Sequence, residues 1–143
     1  MTRREKYPDT DSFMYYNANP KNRITGDCTI RAFCNAMQVP YADVVMELAQ
    51  MQCETGYAAD DLIDRFLDKK GWKVHRQPRR PDGTKYTGKE FCYALNYGEY
   101  RDLSGEAIIA NIGGHHIVAI IENKVNDIWD STDKCIGKFW TKD

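Results

Sequence analysis

The sequence lacks three things that would each point to a function class. No apolar run approaches the roughly 20 residues that cross a bilayer as a helix. No two cysteines are spaced as CxxC, so a zinc ribbon has no paired ligands. Neither charge sign is in surplus: Lys plus Arg is 20 and Asp plus Glu is 21, a formal net charge of -1. A balanced chain has no global field to gather nucleic acid or an anionic membrane, and neither is expected as a partner. The N-terminal Met1-Thr2-Arg3-Arg4-Glu5-Lys6 leads into polar residues rather than an apolar signal core, so a cytoplasmic chain is expected.

What is present fits a single domain. The chain has 143 residues, 42% of them hydrophobic, which excludes a disordered tail and supplies a core. The cysteines, Cys28, Cys34, Cys53, Cys92 and Cys135, number 5, so a disulfide framework would leave one over. Without a secretory signal the expectation is five reduced thiols. Cys34, Cys53 and Cys92 fall at or near apolar helix positions and read as core thiols; Cys135 sits at a turn.

Residues 1–21 are polar and turn-rich, with Met14-Tyr15-Tyr16 as a short strand or an apolar clip onto the body. Helical periodicity runs from Cys28 to about Gln38, over 41–54 and over 59–70, closed by Gly71. A short strand covers 72–74, and Gln77 to Gly83 is a loop by its punctuation. Thr87 and Glu90 form a capping box that opens a helix through Leu95. The last third reads as four strands, 107–112, 117–121, 125–129 and 136–140, in an antiparallel meander. Helices first and sheet second predict an α+β fold, the helices packed on one face. The helical half spans 22–98 and the sheet 105–143.

Three features carry chemistry. Gly26-Asp27-Cys28 places a thiol in the first turn of a helix, where free N–H groups and the helix dipole favour the thiolate. Gly113-Gly114-His115-His116 then delivers an imidazole to the mouth of a strand that is apolar on both faces, a rigid mount for a general base. A three-residue loop Glu122-Asn123-Lys124 would pair Ile121 with Val125 and set Asp130 directly opposite His116. A two-residue turn would move Asp130 to the other face. Cysteine, histidine and acid in this order follow the logic of an activated thiol nucleophile. Oxyanion donors would be the Cys28 amide and an upstream side-chain amide, Asn22. Arg31 could meet a substrate carboxylate or pair with Asp27. The basic residues between Lys69 and Lys85 read as a solvated loop. A metal site from Cys28, His115, His116 and Asp130 is the weaker alternative, so no metal and no cofactor are expected.

Tyr16-Asn17-Ala18-Asn19-Pro20, Gly26-Asp27-Cys28-Thr29-Ile30-Arg31-Ala32, His116-Ile117-Val118-Ala119-Ile120 and Asp127-Ile128-Trp129-Asp130-Ser131 resemble small papain-like cysteine peptidases of phages and Gram-positive bacteria. These look related to bacteriocin-processing peptidase domains. The resemblance implies a papain-like fold, with N-terminal helices on a C-terminal antiparallel sheet. It also implies Cys28 as nucleophile, His116 as base and Asp130 as orienting acid, acting on a peptide or isopeptide bond of a peptide or protein substrate. Asn22 falls where the family places an oxyanion-hole glutamine. Two other readings share these residues: a non-catalytic protein of the same fold that binds a host protein, and a cell-wall amidase or endopeptidase.

Overall fold

The computed structural model describes residues 1–142. Its elements, in order, are α1 (Arg3–Lys6), β1 (Phe13–Tyr15), α2 (Cys28–Met37), α3 (Tyr41–Thr55), a 3₁₀ turn (Ala59–Leu62) running into α4 (Ile63–Lys69), and β2 (Trp72–His75). Then follow α5 (Gly88–Tyr97), a second 3₁₀ turn (Arg101–Leu103), β3 (Ile108–Ile112), β4 (His116–Ile121), β5 (Lys124–Asp127) and β6 (Ile136–Lys142). The class is mixed α and β, as the sequence implies. No helix of the described residues is long and apolar enough to cross a membrane. The expected boundaries of α2, α3 and α5 are met to within a few residues, and Thr87 and Glu90 form the reciprocal capping box at the start of α5.

The sheet departs from a simple meander. Its order is β1-β5-β4-β3-β6-β2, so β3, β4 and β5 run consecutively but β6 returns to the free edge of β3. β2, from the middle of the chain, closes that edge antiparallel to β6. β1 adds to the other edge parallel to β5, with Phe13 opposite Val125 and Tyr15 opposite Asp127. The sheet is therefore mixed rather than antiparallel throughout.

Helices cover both faces, not one. On one face Phe33, Leu48 and Leu67 pack against Ile109, Ile117, Ala119 and Trp140, and the Phe33 and Phe66 rings stack at 5.0 Å. On the other, Phe91 and Leu95 of α5 pack against Ile108, Ala110, Val118, Ile120 and Phe139. The reason lies in β3 and β4, whose successive side chains point to opposite faces and are nearly all apolar. A strand that is apolar on both sides needs cover on both sides. Phe33 is fully buried in the first core. Phe33→Ala is expected to cost about 3–5 kcal/mol in chemical denaturation.

One local feature sets the geometry of the site. β4 and β5 are joined by the two residues Glu122 and Asn123, both in the left-handed region at φ 52° and 61°. Positive φ at both central positions makes the primed turn that suits the right-handed twist of a hairpin. Asn123 is well fitted to it: its Oδ1 accepts from the Gly105 amide at 2.9 Å, and its Nδ2 donates to Asn96 and Ser104. Ile121 therefore pairs with Lys124 and Ala119 with Asn126, one residue off the three-residue-loop register.

Candidate active site

Cys28 is the first residue of α2, and Asp27 its N-cap. The Arg31 amide donates to the Asp27 carbonyl, so the amides of Cys28, Thr29 and Ile30 precede the helical hydrogen-bond ladder. His116 is the first residue of β4, reached through Gly113 and Gly114, both at positive φ. His115 is exposed at the tip of that turn. α2 packs against β4, which brings the thiol and the imidazole close enough for each to shift the other's titration.

The acid on His116 is Asp127, not Asp130. His116 Nε2 lies 2.5 Å from Asp127 Oδ2. Carried one residue past the Ala119–Asn126 pair, the register sets Asp127 across from Val118, one diagonal step from His116 on the same face and within reach of a ring and a carboxylate. Asp130 lies beyond the end of β5, where its Oδ1 accepts from the Thr132 amide at 2.9 Å and hydroxyl at 2.6 Å. The one-residue change of register at the hairpin is the physical reason for the exchange. With Nε2 held by Asp127, Nδ1 is the ring nitrogen left for Cys28.

Asp127 is held from three sides. Its side chain is 1% exposed. Oδ1 accepts from the Ile128 amide at 2.8 Å and from Arg31 Nη1 at 2.7 Å, while Oδ2 serves His116. Arg31 turns its Nε to Asp27 Oδ1 at 2.8 Å. The Trp129 ring lies 4.9 Å from the His116 ring, tilted by 40°, and covers one side of the imidazole.

Electrostatics follow from these contacts. Burial pushes the Cys28 thiol up, but hydrogen bonding to His116, the Ile117 backbone and Thr29, with the charge of His116, outweighs it, and the net shift is down. Burial pushes His116 down, but the hydrogen bonds to Asp127 and Cys28 and their charges carry it up to about 9. The two shifts together favour a thiolate facing an imidazolium. By contrast, burial pushes Cys92 up to about 12 and raises Cys34. Cys53 is exposed rather than a core thiol, because its place on α3 faces solvent; Cys135 is exposed at its turn.

Asn22 does not reach this cluster through any hydrogen bond. It is exposed, at φ 54°, its amide donates to the Asn19 carbonyl, and its Oδ1 accepts from Asn17 Nδ2 at 3.4 Å. A surface cleft of about 900 Å³ lies on the α5 side of the sheet and is lined by Asp130, Lys89 and Tyr93 rather than by Cys28. The recess beside Cys28, walled by Tyr16, Ala18, Ile117 and Asp127, is only about 10 Å³, close to the room for one water molecule. The recess holds Cys28 and Asp127 together with Arg31 in its wall, whereas the α5-side cleft holds none of the three. Among the described residues no group of three or more His, Cys, Asp or Glu side chains is gathered to hold a metal ion. No protein-family model, curated protein or solved structure matches the chain.

Proposed function

We propose that the chain is a thiol hydrolase of papain-like type, acting in the cytoplasm on a peptide or isopeptide bond of a peptide or protein substrate. The observation that carries this reading is His116 hydrogen-bonded to Asp127 at the mouth of β4, with the helix-mounted Cys28 near enough for the two to shift each other's titration. Cys28 is the nucleophile, His116 the acid and base, and Asp127 the group that fixes the ring.

The Cys28 thiolate attacks the carbonyl carbon, and the negative charge passes to the carbonyl oxygen. The Cys28 amide, at the start of α2, is placed to donate to that oxygen. Collapse breaks the C–N bond, the His116 imidazolium gives its proton to the leaving amine, and a thioester remains on Sγ. Water then attacks the thioester while neutral His116 takes the proton. The acid is released and the Cys28 thiolate re-forms beside the His116 imidazolium.

The test is selective alkylation. Iodoacetamide at pH 6 is expected to label Cys28 well ahead of Cys53 and Cys135, although both of those are more exposed. His116→Ala is expected to abolish that preference. Mass-spectrometric mapping reads all five thiols in one sample, and labelling of Cys28 no faster than of Cys53 overturns the reading.

A further inference from the structure

We propose that Arg31 is a positioning residue for this site: its guanidinium, forked between Asp27 and Asp127, locks the helix carrying Cys28 to the strand end carrying Asp127 and sets the charge that His116 feels. The proposal rests on the thiol-hydrolase reading for its purpose, though not for its geometry.

Arg31 lies on α2 three residues beyond Cys28, and the residue is 6% exposed. One nitrogen, Nε, binds the acid just before the nucleophile, and another, Nη1, binds the acid behind the base. A planar guanidinium presents these donors at fixed angles, so its two carboxylates cannot move independently. The far side of Asp27 is also tied down, its Oδ2 accepting from the Tyr41 hydroxyl at 2.7 Å and Asn19 Nδ2 at 2.9 Å. Asp27, Arg31, Asp127, His116 and Cys28 thus form one line of alternating charge, buried at Arg31 and Asp127, across the seam between α2 and the sheet.

Two further observations speak for positioning over simple stabilisation. Asp27 occupies the N-cap of α2, where an aspartate side chain ordinarily accepts from the helix amides, yet it makes no capping bond and is turned to Arg31 instead. Moreover, desolvation can consume the gain from a buried ion pair, so stability alone is weak ground for burying three charges together. What the fork provides is geometry: Asp127 has one oxygen committed to Arg31 and the Ile128 amide, leaving the other aimed at His116.

The titratable and charged groups around His116 are Cys28 from α2 and Asp127 from β5, with Arg31 and Asp27 behind Asp127. This arrangement gives opposite signs to two substitutions. In Asp27→Asn the charge of Arg31 falls wholly on Asp127, which then holds the imidazolium less strongly, so the His116 titration moves down. In Arg31→Met two carboxylates lose their cation and the titration moves up. Arg31→Lys keeps the charge without the fork and is expected to move it up by less. A merely structural role would not give shifts of opposite sign.

NMR titration of the three histidine rings, with His116 assigned from its loss in His116→Gln, reads this directly. Asp27→Asn is expected to lower the His116 midpoint by about one unit. Arg31→Met is expected to raise it. If Arg31→Met does not fold, Asp27→Asn and Arg31→Lys decide the matter. An unmoved midpoint in Asp27→Asn, or a shift of the same sign in the Asp27 and Arg31 variants, overturns the proposal. Iodoacetamide labelling of the unsubstituted protein separates the two ideas. A fast Cys28 with unmoved midpoints defeats the role of Arg31 alone, whereas an ordinary Cys28 with opposite shifts defeats the hydrolase reading alone.

Discussion

Asp127→Asn is expected to slow alkylation of Cys28 at pH 6 by on the order of ten-fold or more, while Asp130→Asn leaves it unchanged. A thiol at its ordinary 9.0 is almost wholly protonated at pH 6, so reactivity there depends on the imidazolium that stabilises the thiolate. Asp127 holds that imidazolium at 2.5 Å, and its replacement by an amide removes the charge but keeps the shape. The amide also leaves Arg31 facing a neutral group in a nearly dry environment, and breaking a buried pair costs about 3–5 kcal/mol. Chemical denaturation should therefore show Asp127→Asn to be the less stable of the two variants. Asp130 bonds only to Thr132, at the end of a loop, and its loss touches neither His116 nor Arg31. The comparison is sharp because the two acids are three residues apart and differ only in where the hairpin delivers them. Equal slowing in both variants would mean that Asp127 is not the orienting acid.

The exchange of Asp130 for Asp127 shows what the sequence could and could not convey. Helix periodicity, the capping box at Thr87 and the apolar runs of β3 and β4 were legible because each is a local pattern with a local cause. Cys28 at a helix start and His116 at a strand mouth were legible for the same reason. The acid was not, because it depends on a register, and a register depends on one turn. Loops of two and three residues fit between Ile121 and the next strand equally well by count. The choice is made by Asn123, whose side chain ties the left-handed turn to Gly105, Asn96 and Ser104, contacts that come from distant parts of the chain. Asparagine tolerates positive φ, and that was the available signal for a two-residue turn.

The covering of both faces could have been inferred from the same strands, since a strand apolar on both sides cannot leave one to water. The position of β1 could not: three residues, Phe13–Tyr15, carry too little pattern to specify a parallel partner. Cys53 was misplaced because apolar neighbours on a helix do not fix which face it turns to solvent.

The pH dependence of Cys28 should carry two inflections, and their directions are fixed by the contacts. The thiol is held below its ordinary 9.0 because hydrogen bonding to His116, the Ile117 backbone and Thr29 outweighs its burial. The thiolate is therefore favoured relative to an ordinary cysteine, and alkylation should rise through a midpoint below 9.0. The second inflection belongs to His116, held up at about 9 against an ordinary 6.5 by Asp127 and Cys28. A folded-state value above the unfolded one means that the protein binds a proton the unfolded chain releases. That contribution to stability is complete below pH 6.5 and is lost as the pH rises through about 9. The Cys28 shift has the opposite sense: its contribution is present above the unfolded value of 9.0 and is lost as the pH falls through the depressed folded value. Between the two folded values the thiolate and the imidazolium coexist, and turnover should be confined to that window. Above about 9 the thiolate persists but the proton needed by the leaving amine has gone. Alkylation should therefore stay high in alkali where hydrolysis of a peptide substrate falls. A single inflection near the ordinary 9.0 in alkylation, unaltered by His116→Ala, would show that the two groups do not titrate as a pair.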